Sequence, residues 1–297
     1  MQSTKSIIIP QSIHTIGRSA FELCISLKDV KISHNLQTIE NDAFESCESL
    51  TNINIPSSVT TIGAGAFHGC KSLSYIELPC NIQEIREFTF CDCKSLVYIS
   101  IPPSVQRIGE YAFEECSALT AVSMPPSVHT IENEAFSCCV SLQSIHISSM
   151  ITIIKESTFY DCKSLTKVAI PPHVHTIEQD AFCGCESLTT IDIPPSVRFI
   201  GYEAFDECDS LRTIYMSKSS VFDGSIFPDC ATLIHGWYDV GPYILLRELY
   251  VKDRLSINPI TSNDTKLQTI QIFLTQMIDD VFKHMISYLI SYKQISN

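Results

Sequence analysis

Phenylalanine returns along this chain at a fixed interval: Phe21, Phe44, Phe67, Phe90, Phe113, Phe136, Phe159, Phe182 and Phe205 stand 23 residues apart, and Phe227 follows after 22. Three residues after each comes a cysteine, in the column Cys24, Cys47, Cys70, Cys93, Cys116, Cys139, Cys162, Cys185, Cys208 and Cys230, and three further on a leucine, from Leu27 to Leu233. A period of this length is the signature of stacked supersecondary units. A 23-residue unit cannot enclose a core alone. It becomes stable when its apolar columns are covered by the same columns of the units before and after it.

Within a unit, the run from Leu50 through Ile53 and Ile55 alternates apolar and polar residues, which predicts a short half-buried strand, and Pro56 ends its pairing. Val59 and Ile62 form a second apolar pair, Gly63 opens a turn, and Ala66-Phe67 returns to the interior. Each unit is therefore predicted to be one strand, one turn and one irregular or single-turn helical return. Stacking yields a solenoid over residues 1–235 with a parallel sheet on one face.

The run Leu-x-x-Ile-x-Ile-Pro-x-x-Val-x-x-Ile-Gly-x-x-Ala-Phe-x-x-Cys, clearest from Leu50 to Cys70 and from Leu96 to Cys116, resembles the BspA-type leucine-rich repeat family over roughly residues 5 to 233. The resemblance implies an α/β-repeat solenoid with a recognition surface, often on microbial or protist surface proteins, and brings no catalytic residues. The position after the strand holds Ser12, Asn35, Ser58, Asn81, Ser104, Ser127, Met150, His173 and Ser196. Most of these side chains can bond the turn backbone; Met150 cannot, which predicts an irregular turn there. The first unit has Thr4 where leucine belongs and no polar cap before it. That points to the C-terminal part of a longer array, or to association through the N-terminal solenoid end.

Fourteen cysteines raise the question of disulfides and metals. Neighbouring rungs of a parallel sheet lie about 4.8 Å apart, within a disulfide's reach. Pairing would nevertheless demand alternating rotamers at equivalent positions, whereas a buried thiol fills the space as a small hydrophobe. Cys47, Cys70, Cys93, Cys116, Cys139, Cys162, Cys185 and Cys208 are thus expected to form a reduced structural column, with Cys80, Cys91, Cys138 and Cys183 exposed or at the edge. Cys91-Asp92-Cys93 and Cys183-Gly184-Cys185 have a zinc-like spacing, but one cysteine of each belongs to the inward column, and a tetrahedral site needs four convergent ligands. Neither metal nor cofactor is expected. His14, His129 and His175 share one column, and no Ser-His-Asp set, P-loop or dinucleotide turn appears, so no catalytic residue is assigned.

Charge separates the faces. Asp and Glu number 33 against 20 Lys and Arg, a net charge of -13 that lies entirely in residues 1–235 and argues against nucleic-acid binding. Most of these acids fall between the last Ile of one unit and the next Leu, the side opposite the sheet, where they read as a solvated outer face. The outward strand positions are nearly neutral and carry Tyr75, Tyr98, His146 and Tyr215 among Ser100, Ala121, Ser123 and Ser144. Aromatic anchors beside small residues suit a protein or peptide partner.

Residues 236–297 leave the period. Residues 243–253 read as a short helix, and Leu267, Ile270, Leu274, Met277, Ile278, Val281, Met285 and Leu289 as an amphipathic helix over about 266–292, a cap in cis or a partner-binding helix. Asp279, Asp280 and Lys283 exclude this stretch as a membrane span. No export signal follows Met1, so the expected location is cytoplasmic, or the cell surface if a signal lies upstream. The expectation is a non-enzymatic leucine-rich-repeat scaffold, with a BspA-type surface adhesin or receptor fragment as the alternative.

Overall fold

The computed structural model describes residues 5–216, 227–228 and 232–235. The helical extension expected over 236–297 lies outside them. One series of strands runs β1 (Ser6–Ile9), β3 (Asp29–Ile32), β5 (Asn52–Asn54), β7 (Tyr75–Glu77), β9 (Tyr98–Ser100), β11 (Ala121–Ser123), β13 (Ser144–Ile145), β15 (Lys167–Val168), β17 (Thr190–Ile193), β19 (Thr213–Met216) and β20 (Thr232–His235). The strands pair in parallel in four groups, β1 with β3, β5 with β7, β9 to β15, and β17 to β20, with Ser6 opposite Asp29 and Tyr98 opposite Ala121. This is the solenoid's strand face, predicted from the alternation after each leucine.

A second parallel ladder was not visible in the sequence. It consists of two-residue strands: β2 (Thr15–Ile16), β4 (Thr38–Ile39), β6 (Thr61–Ile62), β8 (Glu84–Ile85), β10 (Arg107–Ile108), β12 (Thr130–Ile131), β14 (Ile153–Ile154), β16 (Thr176–Ile177) and β18 (Phe199–Ile200). One buried and one outward residue per strand leave no alternation to detect, and only the stacking of units reveals the pairing. Just after this ladder the units come closest. A Cβ on Gly109 would lie 2.5 Å from the Glu87 backbone nitrogen, one unit back.

The return takes the irregular alternative, for no helix occurs among the described residues. Residues two before and two after each column phenylalanine from Phe21 to Phe205 are left-handed, as with Tyr111 (φ 56°) and Glu115 (φ 54°) around Phe113. The N–H groups then alternate in direction. Those of Tyr111, Phe113 and Glu115 donate to Asn133, Ala135 and Ser137 of the next unit at 3.2, 2.9 and 2.9 Å. Those of Ala112, Glu114 and Cys116 donate within the turn to Gly109, Tyr111 and Phe113 at 3.3, 3.2 and 3.2 Å. Each left-handed non-glycine residue costs roughly 1–2 kcal/mol, and a backbone with every donor satisfied opposes that cost.

The phenylalanines form one continuous stack from Phe21 to Phe227. Successive ring centroids are 5.2 to 5.8 Å apart, and the rings are nearly coplanar in orientation, within 14°, as far as Phe205. From Phe44 to Phe205 they are wholly buried, walled by the Leu, Ile and Val columns. Each stacked pair is worth about 0.5–1.5 kcal/mol beyond its burial.

The irregular turn expected at Met150 is not found. Ile151 N–H donates to Ser148 O at 3.1 Å, the bond Val105 makes to Pro102 and Val174 to Pro171. Ser148, standing where most other units carry proline, replaces the missing side-chain bond: its hydroxyl donates to Pro126 O at 3.2 Å and accepts from the Met150 N–H at 3.3 Å.

Phe113→Ala is expected to cost about 3–5 kcal/mol, because it removes a fully buried ring and both of its stacking partners lose a face. Urea denaturation measures the total. Hydrogen exchange should show the loss of protection concentrated in the adjoining units, since each unit contacts only its neighbours.

Candidate functional site

Outward positions of the strand face fall into two columns, two and four residues after each core leucine. Tyr75 and Tyr98 occupy the first column in consecutive units, at 55% and 42% exposure. Val97, also exposed, stands immediately before Tyr98. Sequence reasoning missed Val97; the available signal was an apolar residue in a column that elsewhere holds Thr51, Ser74 and Thr120. His146 is exposed in the second column, two units beyond Tyr98. Tyr215 is three units further on and half-buried, not turned fully to solvent as expected. The structure therefore brings Tyr75 and Tyr98 together and leaves His146 and Tyr215 apart from them.

The cysteine column has a specific chemistry. Each thiol from Cys47 to Cys208 donates to the carbonyl of the core phenylalanine one unit back: Cys47 to Phe21, Cys70 to Phe44, Cys93 to Phe67 and Cys116 to Phe90 at 3.1 to 3.2 Å. Cys139, Cys162, Cys185 and Cys208 do the same to Phe113, Phe136, Phe159 and Phe182 at 3.2 to 3.3 Å. A disulfide would remove two such donors per bridge. Burial pushes these thiols up, to about 12 for Cys47 and Cys208 and well above the usual range for Cys70, Cys93, Cys139 and Cys185.

Of the four cysteines that stand outside the column, Cys80 is exposed and Cys138 half-exposed, but Cys91 and Cys183 are buried, against the expectation of edge positions. They lie outside the main core, where neighbouring acidic side chains cover them; Cys91 Sγ donates to Glu114 Oε2 at 3.3 Å. Cys91 and Cys93 point to different partners, and among the described residues no group of three or more His, Cys, Asp or Glu converges to hold a metal ion. His129 and His175 make only local contacts, to Thr130 and Thr176. Nor is any helix of the described residues long and apolar enough to cross a membrane.

The outer side carries charge pairs both between units and within them. Lys71 bridges to Glu48, Lys94 to Asp92 and Glu115, and Lys163 to Asp161 and Glu186. Beside the second ladder a ribbon runs from Arg86 through Glu84, Arg107 and Glu132 to Lys155. Burial alone would raise the Glu132 carboxyl, but the hydrogen bonds and charges of Lys155 and Arg107 outweigh it and hold the group below the usual carboxylate range.

Two stacked parallel ladders, a 23-residue unit and a cysteine-bearing return define a leucine-rich-repeat solenoid. The family described as BspA type leucine rich repeat region matches residues 1–120 and 106–234, and the chain belongs to it. Among solved structures, the leucine-rich repeat protein of T. pallidum is 31% identical with a TM-score of 0.52, covering 63% of this chain and 78% of its own. The pneumococcal vaccine antigen PcpA has the same fold at 19% identity and a TM-score of 0.55, covering 78% of this chain and 62% of its own. A leucine-rich cell surface protein from Faecalibacterium prausnitzii is 27% identical, with a TM-score of 0.46 and 78% of each chain covered. No curated protein sequence matches.

In native protein a thiol reagent should modify Cys80 first and leave the column untouched until the chain unfolds. Because the folded thiols are raised above their unfolded value, their contribution to stability is intact below about pH 8.5 and is lost as pH climbs toward the folded values. The melting temperature is therefore expected to fall between about pH 8.5 and 11. Cys116→Ala should cost about 1–3 kcal/mol and reduce that alkaline slope.

Proposed function

We propose that this chain is a non-enzymatic protein-interaction scaffold that recognises a protein or peptide partner on its strand face through Tyr75, Val97 and Tyr98. The observation that carries this reading is the exposure of three large side chains in two consecutive units of the strand face, Tyr75 on β7 and Val97 and Tyr98 at β9, flanked by small residues and only Glu77 as a nearby strand charge. Each of these strands is held by parallel pairing with a neighbour, β7 with β5 and β9 with β11, so the backbone under the patch is already ordered and little ordering cost attends binding. Tyrosine supplies wide, amphipathic contact area of the kind that dominates interface energetics. His146 lies on the flank of this patch and Tyr215 beyond it.

The same reading places the protein in the cytoplasm, supported by a core that uses its thiols as hydrogen-bond donors and so suits a reducing compartment. Fractionation of cells that make the full chain, with a membrane-impermeant amine label, tests the location; labelling of intact cells would assign it to the surface instead.

Affinity capture with the full chain, followed by calorimetry on the partner recovered, tests the face. Tyr98→Ala is expected to weaken binding about tenfold or more with an unchanged melting temperature, since the ring is outside the core. Glu207→Lys, on the outer side, should leave affinity unchanged. The opposite pattern would overturn the assignment.

A further inference from the structure

Two of the left-handed positions on the return hold aromatic residues, Phe88 (φ 55°) and Tyr111 (φ 56°). A bulky side chain is poorly suited to this backbone region, and the equivalent position one unit earlier is Gly65, which adopts it freely (φ 60°). Neither ring serves the core, where the column of Phe67, Phe90 and Phe113 is already complete. They stack on each other instead, at 4.8 Å and 11°, outside it. His68 continues the row, 6.3 Å from Phe88. Phe88 remains 38% exposed.

The rim of this aromatic row is acidic. Tyr111 Oη donates to Glu134 Oε1 at 2.8 Å, and Glu114, whose N–H donates to Tyr111 O at 3.2 Å, accepts from the Cys91 thiol at 3.3 Å. Burial pushes the Glu114 carboxyl up, and the nearby Glu134 and Glu115 add to the effect. Among the described residues, none of Glu87, Glu110, Glu114 and Glu134 is paired with a Lys or Arg, whereas Lys71, Lys94 and Lys163 are all engaged with other acids. Aromatic faces attract cations, long basic side chains lay their apolar stems on such surfaces, and unneutralised carboxylates supply the countercharge.

We infer that His68, Phe88 and Tyr111, rimmed by Glu114 and Glu134, form a second docking surface, which takes a Lys- or Arg-bearing peptide segment of a protein partner. Its chemistry differs from that of the near-neutral strand face, and it does not depend on that face binding anything. The charge decides the occupant: an acidic or wholly apolar segment would meet uncompensated carboxylates. The backbone conformation decides the test, because glycine at either position relieves strain while it deletes the ring.

The probe is a fluorescent, acetylated decapeptide of alternating Arg and Ser, titrated into the full-length chain at low and at physiological salt, with a Glu-Ser peptide as control. The Arg peptide is expected to bind and the Glu peptide not to. Phe88→Gly and Tyr111→Gly should each weaken binding about tenfold while raising the melting temperature. Glu203→Gly, which relieves the same strain (φ 54°) four units from Tyr111, should raise the melting temperature without affecting binding. Should Phe88→Gly lower the melting temperature, Phe88→Asn replaces it, since Asn also tolerates this conformation. Unchanged affinity in the ring-deleted variants, or no binding of the Arg peptide at low salt, would overturn the inference. Tyr98→Ala is expected to bind the Arg peptide normally, so failure of the strand-face reading is told apart from failure of this one.

Discussion

From Phe21 to Phe182 each core phenylalanine carbonyl accepts two hydrogen bonds, one that closes its own turn and one that ties it to the next unit: for Phe90, the N–H of Cys93 at 3.2 Å, and the thiol of Cys116 one unit later at 3.1 Å. A hydrophobe without a donor would leave the second bond unmade, and a longer polar side chain would not fit the column. The demand for a small, apolar residue that still donates is what sets cysteine three residues after every phenylalanine. With that bond in place the rings above and below are held at stacking distance, and the strand, second ladder and return follow at the same spacing. Stability in such an array is a property of neighbouring pairs of units, not of any unit alone.

Much of this was legible in the sequence because it repeats. The Phe, Cys and Leu columns gave the unit length, the buried face and the strand face directly. What could not be read was conformation that leaves no compositional trace. The two-residue strands around Arg107–Ile108 have too little length to alternate, and the left-handed residues beside Phe113 are Tyr111 and Glu115, not the glycines that would signal them. The turn at Met150 misled because its hydrogen bond is supplied by Ser148, two residues outside the position where a polar side chain was sought. Of the exposed side chains on the strand face, the Tyr75 and Tyr98 pair was legible from their common column. Val97 was not, because it lies just outside β9, where alternation no longer says which way a side chain faces.

The faces of the solenoid therefore have different physical characters. The strand face is regular and near neutral, and its exposed area includes the rings of Tyr75 and Tyr98. On the outer side the backbone carries conformational strain in every unit, mostly under small or acidic residues, with lysines neutralising many of the carboxylates between units. Where aromatic rings stand on that strained backbone without serving the core, their cost to folding is a reason to look for a use outside it.

The most direct test of this account is the infrared S–H stretching band of the native full-length protein. If the column thiols are reduced and bonded to phenylalanine carbonyls, the band should be strong and displaced to lower frequency than that of a free thiol, and it should return toward the free position as the protein unfolds under non-reducing conditions. A native band already at the free-thiol position, or one largely missing until a reductant is added, would contradict it.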